Sequence, residues 1–297
     1  MTSSEDAFRL NKLANRLVNE GDFEEAFRLY KEALNLDPEF IEAWGNLGML
    51  MVRVGREEDF ERAYEAAFTL DPDYAWTWSS YATCLSALQR FRDAEKALQR
   101  AVELAPARSD TWRALGMAYV GLKDFDQAES ALKRSLEIDS ENARNLYAMG
   151  FMLYMAKRLK EAEAHLKRVV ELHPRHAEAW SLLAETYFSQ AKMRDAINAQ
   201  DDAAKIVEND MQLWYRLAEM QYQAGLLKHS ENVLKQVIVR RPDYIDAWEL
   251  LIPILEEMGK EEDLSITKEA FDALLKENPH LQKGSDGFLE PIRRDEG

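Results

Sequence analysis

The sequence predicts an all-α solenoid of antiparallel helical hairpins, and the spacing of its tryptophans is the main reason. Six of the seven tryptophans lie at multiples of thirty-four residues from one another, namely Trp44, Trp78, Trp112, Trp180, Trp214 and Trp248. Leu146 fills the vacant place in this series, and Leu10 lies one period before Trp44. Self-similarity at this period indicates stacked repeats. Glycine is also scarce, with 12 in 297 residues, as expected of a nearly all-helical chain.

The period divides the chain into eight repeats, with Ala7 as position one of the first. The repeats are 7–40, 41–74, 75–108, 109–142, 143–176, 177–210, 211–244 and 245–279. No linker rich in Pro, Gly or Ser interrupts them, so we expect one solenoid domain over residues 1–279. Residues 280–297 form a C-terminal tail that is too polar and too rich in turn residues for a ninth hairpin.

Two apolar stripes recur in each repeat and predict its two helices. Positions four, seven, eight and eleven form one face of the first helix. Position eight is small in every repeat except the last, with Ala14, Gly48, Ala82, Gly116, Gly150, Ala184 and Ala218. A small residue there lets a neighbouring helix approach closely. A second stripe begins at position seventeen and predicts the second helix, as in Phe23, Ala26, Tyr30, Ala33 and Leu34.

Glycine and proline mark the predicted helix ends. In four repeats the turn after the first helix carries Gly21, Gly55, Gly225 or Gly259, where glycine adopts left-handed angles at least cost. In five repeats a proline at position thirty-two follows the second helix, namely Pro38, Pro72, Pro106, Pro174 and Pro242. The last repeat deviates. Its second helix realigns with the others if one residue is added near the turn, and Pro253 should kink its first helix.

These residues resemble the tetratricopeptide repeat (TPR) family, whose pattern is Trp, Leu-Gly, Tyr, Ala, an aromatic residue, Ala and Pro within thirty-four residues. The segments at 21–26 (GDFEEA) and 43–48 (AWGNLG) match it well, and the resemblance covers about residues 7–279. It implies a right-handed superhelix whose concave face is formed by positions two, five, nine, twelve and thirteen of the first helices. It also implies a role in protein–protein interaction.

Charge and motif content argue against several other classes of function. A formal net charge of −16 opposes binding to nucleic acids and to anionic membrane surfaces. The chain starts without a basic and apolar leader, and no segment approaches eighteen apolar residues, so we expect a cytoplasmic protein. Phosphate-binding loops, nucleophile elbows and zinc-binding helix motifs are absent from the sequence. We therefore expect neither enzymatic activity nor a cofactor.

The candidate reactive residues have simpler structural explanations. Cys84 lies at position ten of its repeat, where packing accounts for it better than catalysis does. His173 and His176 flank a turn proline, but no third or fourth ligand follows at a spacing suitable for a metal site.

The inner positions given by the resemblance predict a binding groove in the fourth to seventh repeats. The aromatic residues at or near these positions are Tyr147, Phe151, Tyr154, Phe188, Tyr215 and Tyr222, all off the core stripe. Arg113, Arg144 and Arg216 are able to fix carboxylates beside them, and aromatic residues and arginine dominate binding hot spots. Trp76, the tryptophan outside the thirty-four-residue register, faces the same groove. The alternative is that these side chains fill the inside of the superhelix or pack against a second copy.

The resemblance also invites comparison with the clamp that some TPR arrays use to hold the two carboxylates of chaperone C-termini. The two asparagines of that clamp correspond to Asn15 and Asn46 in this sequence. Both are able to hydrogen-bond the backbone of an extended peptide. Its cationic positions are occupied by Asn11, Trp76 and Ser80, so the charges that hold the carboxylates are missing. A co-chaperone role is therefore disfavoured.

The function expected from the sequence is a scaffold or adaptor that binds a peptide or a partner segment in its concave groove. The alternative is a homo-oligomeric or regulatory subunit that self-associates through the solenoid and the C-terminal tail. In the tail, we expect Phe288, Leu289 and Ile292 either to cover the last hairpin or to enter a groove.

Overall fold

A computed structural model describes residues 3–282, which contain sixteen α-helices, one 3₁₀ helix and no strand. The α-helices are α1 Ser3–Glu20, α2 Phe23–Leu36, α3 Ile41–Arg53, α4 Glu57–Leu70, α5 Ala75–Ala87, α6 Phe91–Leu104, α7 Ser109–Gly121, α8 Phe125–Ile138, α9 Ala143–Met155, α10 Leu159–Leu172, α11 Ala177–Ser189, α12 Met193–Ile206, α13 Met211–Gln223, α14 Leu227–Arg240, α15 Ile245–Glu257 and α16 Glu261–Glu277, and the 3₁₀ helix is Pro279–Gln282. None of these described helices is long and apolar enough to cross a membrane. The all-α prediction is confirmed. The expectations for Phe288, Leu289 and Ile292 lie outside the described residues.

The helices form two compact units, Met1–Leu172 with α1 to α10 and His173–Gly297 with α11 to α16. In the first unit the helices pair as five hairpins, and in the second as three. The second helix of a hairpin also packs on the first helix of the next, as α6 does on α7, and first helices contact each other, as α7 contacts α9. Packing between neighbouring repeats is the arrangement of a repeat protein. One continuous solenoid domain stays a prediction.

Position eight is small because the second helix of the same hairpin lies directly against it. A Cβ atom added to Gly48 would lie 2.5 Å from Cε2 of Tyr64, and one added to Gly116 would lie 2.6 Å from Cγ of Leu132. Both distances are too short for real carbon contacts. Tyr64 and Leu132 are themselves fully buried, so they have little room to move. The stripe of small residues therefore sets the spacing within each hairpin.

All eight turns between paired helices adopt a left-handed conformation at position fifteen. Four of them use the predicted glycines, with φ between 65° and 87°. The other four use Gln89, Lys123, Lys157 and Ala191, with φ between 58° and 62°. The same backbone hydrogen bond closes both kinds of turn, at 2.8 Å from Arg56 N to Met51 O and from Arg90 N to Leu85 O. Hydrogen bonding thus imposes this geometry even where a side chain makes it cost about 1–2 kcal/mol.

Each of the six tryptophans at position four makes an equivalent hydrogen bond. Each indole Nε1 donates to the backbone carbonyl six residues earlier at 2.7–3.0 Å, with acceptors Pro38, Pro72, Pro106, Pro174, Glu208 and Pro242. This bond ties the start of the first helix to the turn that precedes it. Leu146 cannot make it, and there the preceding Asn145 donates from Nδ2 to the carbonyls of Asp139 at 3.3 Å and Ser135 at 3.4 Å.

A second recurring contact links position twenty-one of one repeat to a cation at position sixteen of the next. Arg90 pairs with Glu61 at 2.5 Å, and Arg158 pairs with Glu129. In the second unit Lys260 pairs with Glu231 at 2.6 Å. Where position twenty-one is Phe27, the Arg56 guanidinium lies over the ring, 5.1 Å from its centroid. Charge pairs and a cation–π contact therefore occupy the same place between repeats.

The last repeat was expected to have one additional residue near its turn, but its additional length lies elsewhere. Its turn has the usual length, because Gly259 and the helix-capping residue Lys260 occupy the same positions as in the other repeats. The helix α16 has 17 residues, whereas α14 has 14, so the additional length lies at its C-terminal end. The helix α15 continues through Pro253. Trp248 stacks on Phe271 at 5.7 Å, which anchors α16 to α15.

Candidate functional site

Arg113 lies on α7 and Arg144 on α9, at positions that the family resemblance assigns to the inner face. Contacts elsewhere in this unit show which positions of neighbouring first helices meet. The Oγ of Ser79 lies 3.4 Å from Oγ1 of Thr111, which joins position five to position three of the next repeat. By the same register, Arg113 at position five lies beside the first turn of α9, which carries Arg144. Neither arginine forms an ion pair with any described residue.

The electrostatic surroundings of Arg113 match this placement. Burial of the guanidinium and the positive charge of Arg144 lower the pKa of Arg113 from its ordinary value, while Asp110 acts in the opposite direction. Asp110 is itself bound by Arg108, at 3.1 Å. Arg113 and Arg144 are therefore near one another and form no ion pair with a described residue, and the nearby Asp110 carboxylate is bound by Arg108.

The aromatic residues that the sequence assigns to the inner face of α9 are half-buried. Phe151 and Tyr154 pack on the hydrophobic core of the first unit, and the Lys157 ammonium lies 5.6 Å from the Tyr154 ring centroid. Tyr147 is half-buried as well. These rings thus contribute to packing, as the alternative interpretation holds, and each keeps a solvent-facing part.

In the first three repeats, the predicted asparagines are engaged within the unit. Nδ2 of Asn46 donates to Oδ1 of Asn11 at 3.0 Å, and the Tyr30 hydroxyl donates to Oδ1 of Asn15 at 2.5 Å. Asn11 is only 6% exposed, so the site that would hold a cation in a carboxylate clamp is a buried amide. Trp76 is half-buried, and a Cβ atom on Gly45 would lie 2.5 Å from its ring.

In the second unit, Arg216 already binds two carboxylates. Its Nε and one terminal nitrogen donate to the two Glu185 oxygens at 2.5 and 2.7 Å, and the other terminal nitrogen donates to Glu219 at 2.5 Å. Its guanidinium also lies 5.5 Å from the Phe188 ring centroid. Arg216 is therefore not available to a partner carboxylate as the sequence suggested. Both glutamates lie at position nine, but their pairing with Arg216 was not predicted.

Tyr215 and Tyr222 are half-buried on α13. The ring centroids of Tyr215 and Tyr244 are 5.6 Å apart. The sequence interpretation missed Tyr244 because this residue precedes α15. Burial, followed by the nearby carboxylates of Glu219 and Asp246, raises the pKa of Tyr215. The predicted inner positions of α13 thus combine aromatic rings with nearby carboxylates, whereas those of α7 and α9 combine aromatic rings with two arginines. The six predicted groove aromatics are divided between the two units, and a single groove stays a prediction.

A cleft of about 480 Å³ opens in the first unit between α8, α9 and α10. Met149 and Leu136 line it. The equivalent positions two repeats earlier are Tyr81 and Phe68, whose rings pack edge to face at 5.5 Å. Smaller side chains thus line the cleft where that aromatic pair packs two repeats earlier.

Cys84 and the turn histidines have structural roles. Cys84 is 4% exposed, its Sγ lies 3.7 Å from the Tyr64 hydroxyl, and burial raises the pKa of its thiol to about 11. Nδ1 of His176 accepts from the backbone N–H of Ala179 at 3.3 Å and caps α11. Within residues 3–282 no group of three or more His, Cys, Asp or Glu side chains is arranged to hold a metal ion.

Several family models match the chain. Models described as tetratricopeptide repeat match residues 41–74, 84–143 and 119–186, and one described as TPR repeat matches 14–55. A model of the anaphase-promoting complex, cyclosome, subunit 3 matches residues 155–237. The comparison with curated proteins gives no significant match.

Solved structures of low sequence identity share the fold. The hetero-tetramer Cut9-Hcn1 of the APC/C matches with a TM-score of 0.64 and 18% identity over 82% of this chain and 48% of the other, so the protein spans about half the length of that chain. A tetratricopeptide repeat protein from Parabacteroides merdae matches with a TM-score of 0.62 and 17% identity over 84% of this chain and 99% of its own. The protein pilF of Pseudomonas aeruginosa matches with a TM-score of 0.59 and 18% identity over 75% and 99%. At these identities the likeness concerns the fold.

Proposed function

Because the chain belongs to the tetratricopeptide repeat family, we propose that it is a non-catalytic scaffold or adaptor that binds a segment of a partner protein on the inner faces of its first helices. The observation that carries this proposal is the set of half-buried aromatic side chains on α9, α11 and α13. The repeats build their core from other positions, namely the small residue at position eight and the apolar residues around it. Rings that pack on the edge of the core and keep solvent-facing parts are typical binding anchors.

The family matches support the general role, since TPR proteins commonly mediate protein–protein interaction. A binding surface also fits the construction of the units, because rigid stacked hairpins hold their inner side chains without further ordering. The cytoplasmic location predicted from the sequence remains part of this proposal.

Photo-crosslinking tests the proposed surface without weakening the core. A photoreactive phenylalanine analogue replaces Phe188 on the inner face or, as the matched control, Val239, which is 81% exposed on α14. In native lysate we expect the inner position to crosslink a defined partner and the control position not to do so. Equal crosslinking from both positions, or none from Phe188, would contradict binding on the inner face.

A paired substitution provides a second test. Tyr154→Ala with Phe188→Ala should reduce partner capture at least about tenfold, as expected for the loss of two hot-spot rings. Circular dichroism must show that the variant keeps its helical content, because Tyr154 also packs on the core. Undiminished capture by a folded variant would reject the proposal.

Self-association is the competing role, and light scattering of the full chain over a concentration series separates the two. A concentration-independent monomer favours the adaptor. A stable oligomer whose formation is lost in the Tyr154→Ala, Phe188→Ala variant would instead make the inner face an assembly surface.

A further inference from the structure

The pair Arg113 and Arg144 stands out against the charge balance of the protein. The chain carries 54 acidic and 38 basic residues, so a basic side chain usually finds a carboxylate within reach. The partly buried arginines behave accordingly: Arg90, Arg158 and Arg216 each bind two carboxylates. Arg113 and Arg144 form no ion pair within residues 3–282, although Arg113 is half-buried.

Their position makes this lack of partners informative. The register of the first helices brings two like charges from neighbouring repeats together on the inner face. A half-buried charge without a partner is costly, and a second cation beside it adds repulsion. Both costs fall when an anion binds between them. Arginine is also the side chain best suited to hold a carboxylate, through two parallel N–H···O bonds.

We propose that Arg113 and Arg144 form an anion subsite that holds a carboxylate of an acidic peptide segment. This inference rests on the proposed function and specifies the partner: the segment that binds the first unit is acidic where it meets α7 and α9. Tyr147 and Phe151 follow Arg144 on the same face of α9, at positions five and nine. Their rings flank the subsite, so the segment pairs its acidic residue with an apolar neighbour.

The subsite also supplies specificity. A net charge of −16 attracts basic segments to most of the surface and repels acidic ones. Two unpaired arginines reverse this preference at one place on the inner face. A basic segment is rejected there by like charge, while an acidic segment gains two charge-assisted hydrogen-bonding groups.

Selection from a phage-displayed random peptide library tests the subsite on the full-length protein. Peptides selected on the wild type are synthesised, and their affinities are measured for three proteins. These are the wild type, the variant Arg113→Gln with Arg144→Gln, and the control Arg134→Gln with Arg168→Gln. The control removes the same number of charges from α8 and α10, where both arginines are exposed and already paired with glutamates.

We expect the selected peptides to be enriched in Asp or Glu next to an apolar residue. Their affinity should fall at least about tenfold in the subsite variant and about twofold or less in the control, as one charge-assisted contact or more is lost. Replacing the enriched acid by its amide should weaken binding to the wild type by a similar factor. It should have little further effect in the subsite variant.

Different failures of this experiment have different meanings. Competition is measured against crosslinking from a photoreactive phenylalanine analogue at Phe151 on α9, in the same unit as the subsite. Peptides that compete with this crosslink but show no acidic enrichment, or that bind the subsite variant as well as the wild type, would overturn the subsite and leave the proposed function intact. Equal losses in the subsite and control variants would also overturn it, because net charge alone would explain the binding. If no selected peptide competes with either the Phe151 or the Phe188 crosslink, both proposals fail.

Discussion

The tryptophan hydrogen bonds yield a prediction in which two tryptophans of the same chain serve as test and control. Trp112 donates from Nε1 to the carbonyl of Pro106 at 2.8 Å, as do the other tryptophans at position four to their own acceptors. Trp76 lies two residues before position four of its repeat and makes no such bond with the described residues. Trp112→Phe removes the bond and keeps an aromatic ring, whereas Trp76→Phe removes only ring area.

The expected losses follow from these contacts. A net contribution of about 0.5–1.5 kcal/mol is typical of one hydrogen bond to the backbone. The smaller ring of phenylalanine forfeits about 0.5 kcal/mol of apolar burial at a half-buried position. Since the Pro106 carbonyl is reached by water once the indole is gone, the cost lies toward the low end. We expect Trp112→Phe to lower the free energy of unfolding by about 1–1.5 kcal/mol and Trp76→Phe to lower it by about 0.5 kcal/mol or less.

Urea unfolding of the two full-length variants, followed by circular dichroism, measures the difference. Midpoint and slope must be reported together, because a repeat protein can lose cooperativity when one repeat weakens. Indole N–H exchange in tryptophan-labelled protein gives an independent measurement, in which six protons should exchange more slowly than that of Trp76. Equal destabilisation by both substitutions, or equal exchange of all seven indoles, would refute the structural role assigned to the bond.

Three further predictions concern a close contact, a buried charge and a buried thiol. Gly48→Ala should lower the free energy of unfolding by about 1 kcal/mol, because the added Cβ overlaps Tyr64. The overpacking cost of about 1–3 kcal/mol exceeds the gain in helix propensity of about 1 kcal/mol. Thermal unfolding shows whether the substitution destabilises the protein. Hydrogen bonds, chiefly from Arg158, lower the pKa of Glu129 from 4.5 to about 2. The Glu129–Arg158 ion pair contributes about 1–2 kcal/mol to the free energy of unfolding after solvent screening. This contribution is therefore complete above pH 4.5 and is lost as the pH falls toward 2. Urea unfolding of Glu129→Gln at neutral pH should show the same loss. A thiol reagent at neutral pH should label Cys84 only as fast as the protein opens, because burial raises its pKa to about 11.

Each of these three predictions has a control and a result that would contradict it. Ala14→Gly, at position eight of the first repeat, should destabilise by about 1–2 kcal/mol through lost helix propensity and the loss of a buried methyl group. A Gly48→Ala variant with a higher melting temperature would show that α3 and α4 are not in tight contact. Glu137→Gln on the exposed face of α8 should change stability little, and a Glu129→Gln effect independent of pH would rule out the ion pair as its source. Rapid labelling of Cys84 in the folded protein would mean that the thiol is not buried.

The repeat architecture was predictable from single positions because each obeys a local physical rule. Position eight is small wherever two helices approach closely, and proline at position thirty-two cannot continue a helix. Glycine marked four of the eight turns. The other four were not recognisable, since Gln89 or Lys123 has no preference for left-handed angles and adopts them because the turn's hydrogen bonds require it.

The candidate site was less predictable, because it depends on pairs of side chains rather than on single residues. Arg113, Arg144 and Arg216 look equivalent in the sequence, yet Glu185 and Glu219 neutralise only the third. Likewise Asn46 resembles a free peptide-binding amide until its bond to Asn11 is seen. A spacing of thirty-one residues joins Glu185 to Arg216, and this signal becomes meaningful only when the register between neighbouring first helices is known.

The sequence by itself determined the number of repeats, their helical hairpins and the positions that form the core, because these follow from periodicity, residue size and backbone preference along one chain. Tertiary structure alone decided which charges form ion pairs within residues 3–282 and which do not. Ion pairs such as Glu185–Arg216 act across a few ångströms between residues of neighbouring repeats, and their distance is set by how those repeats pack on one another.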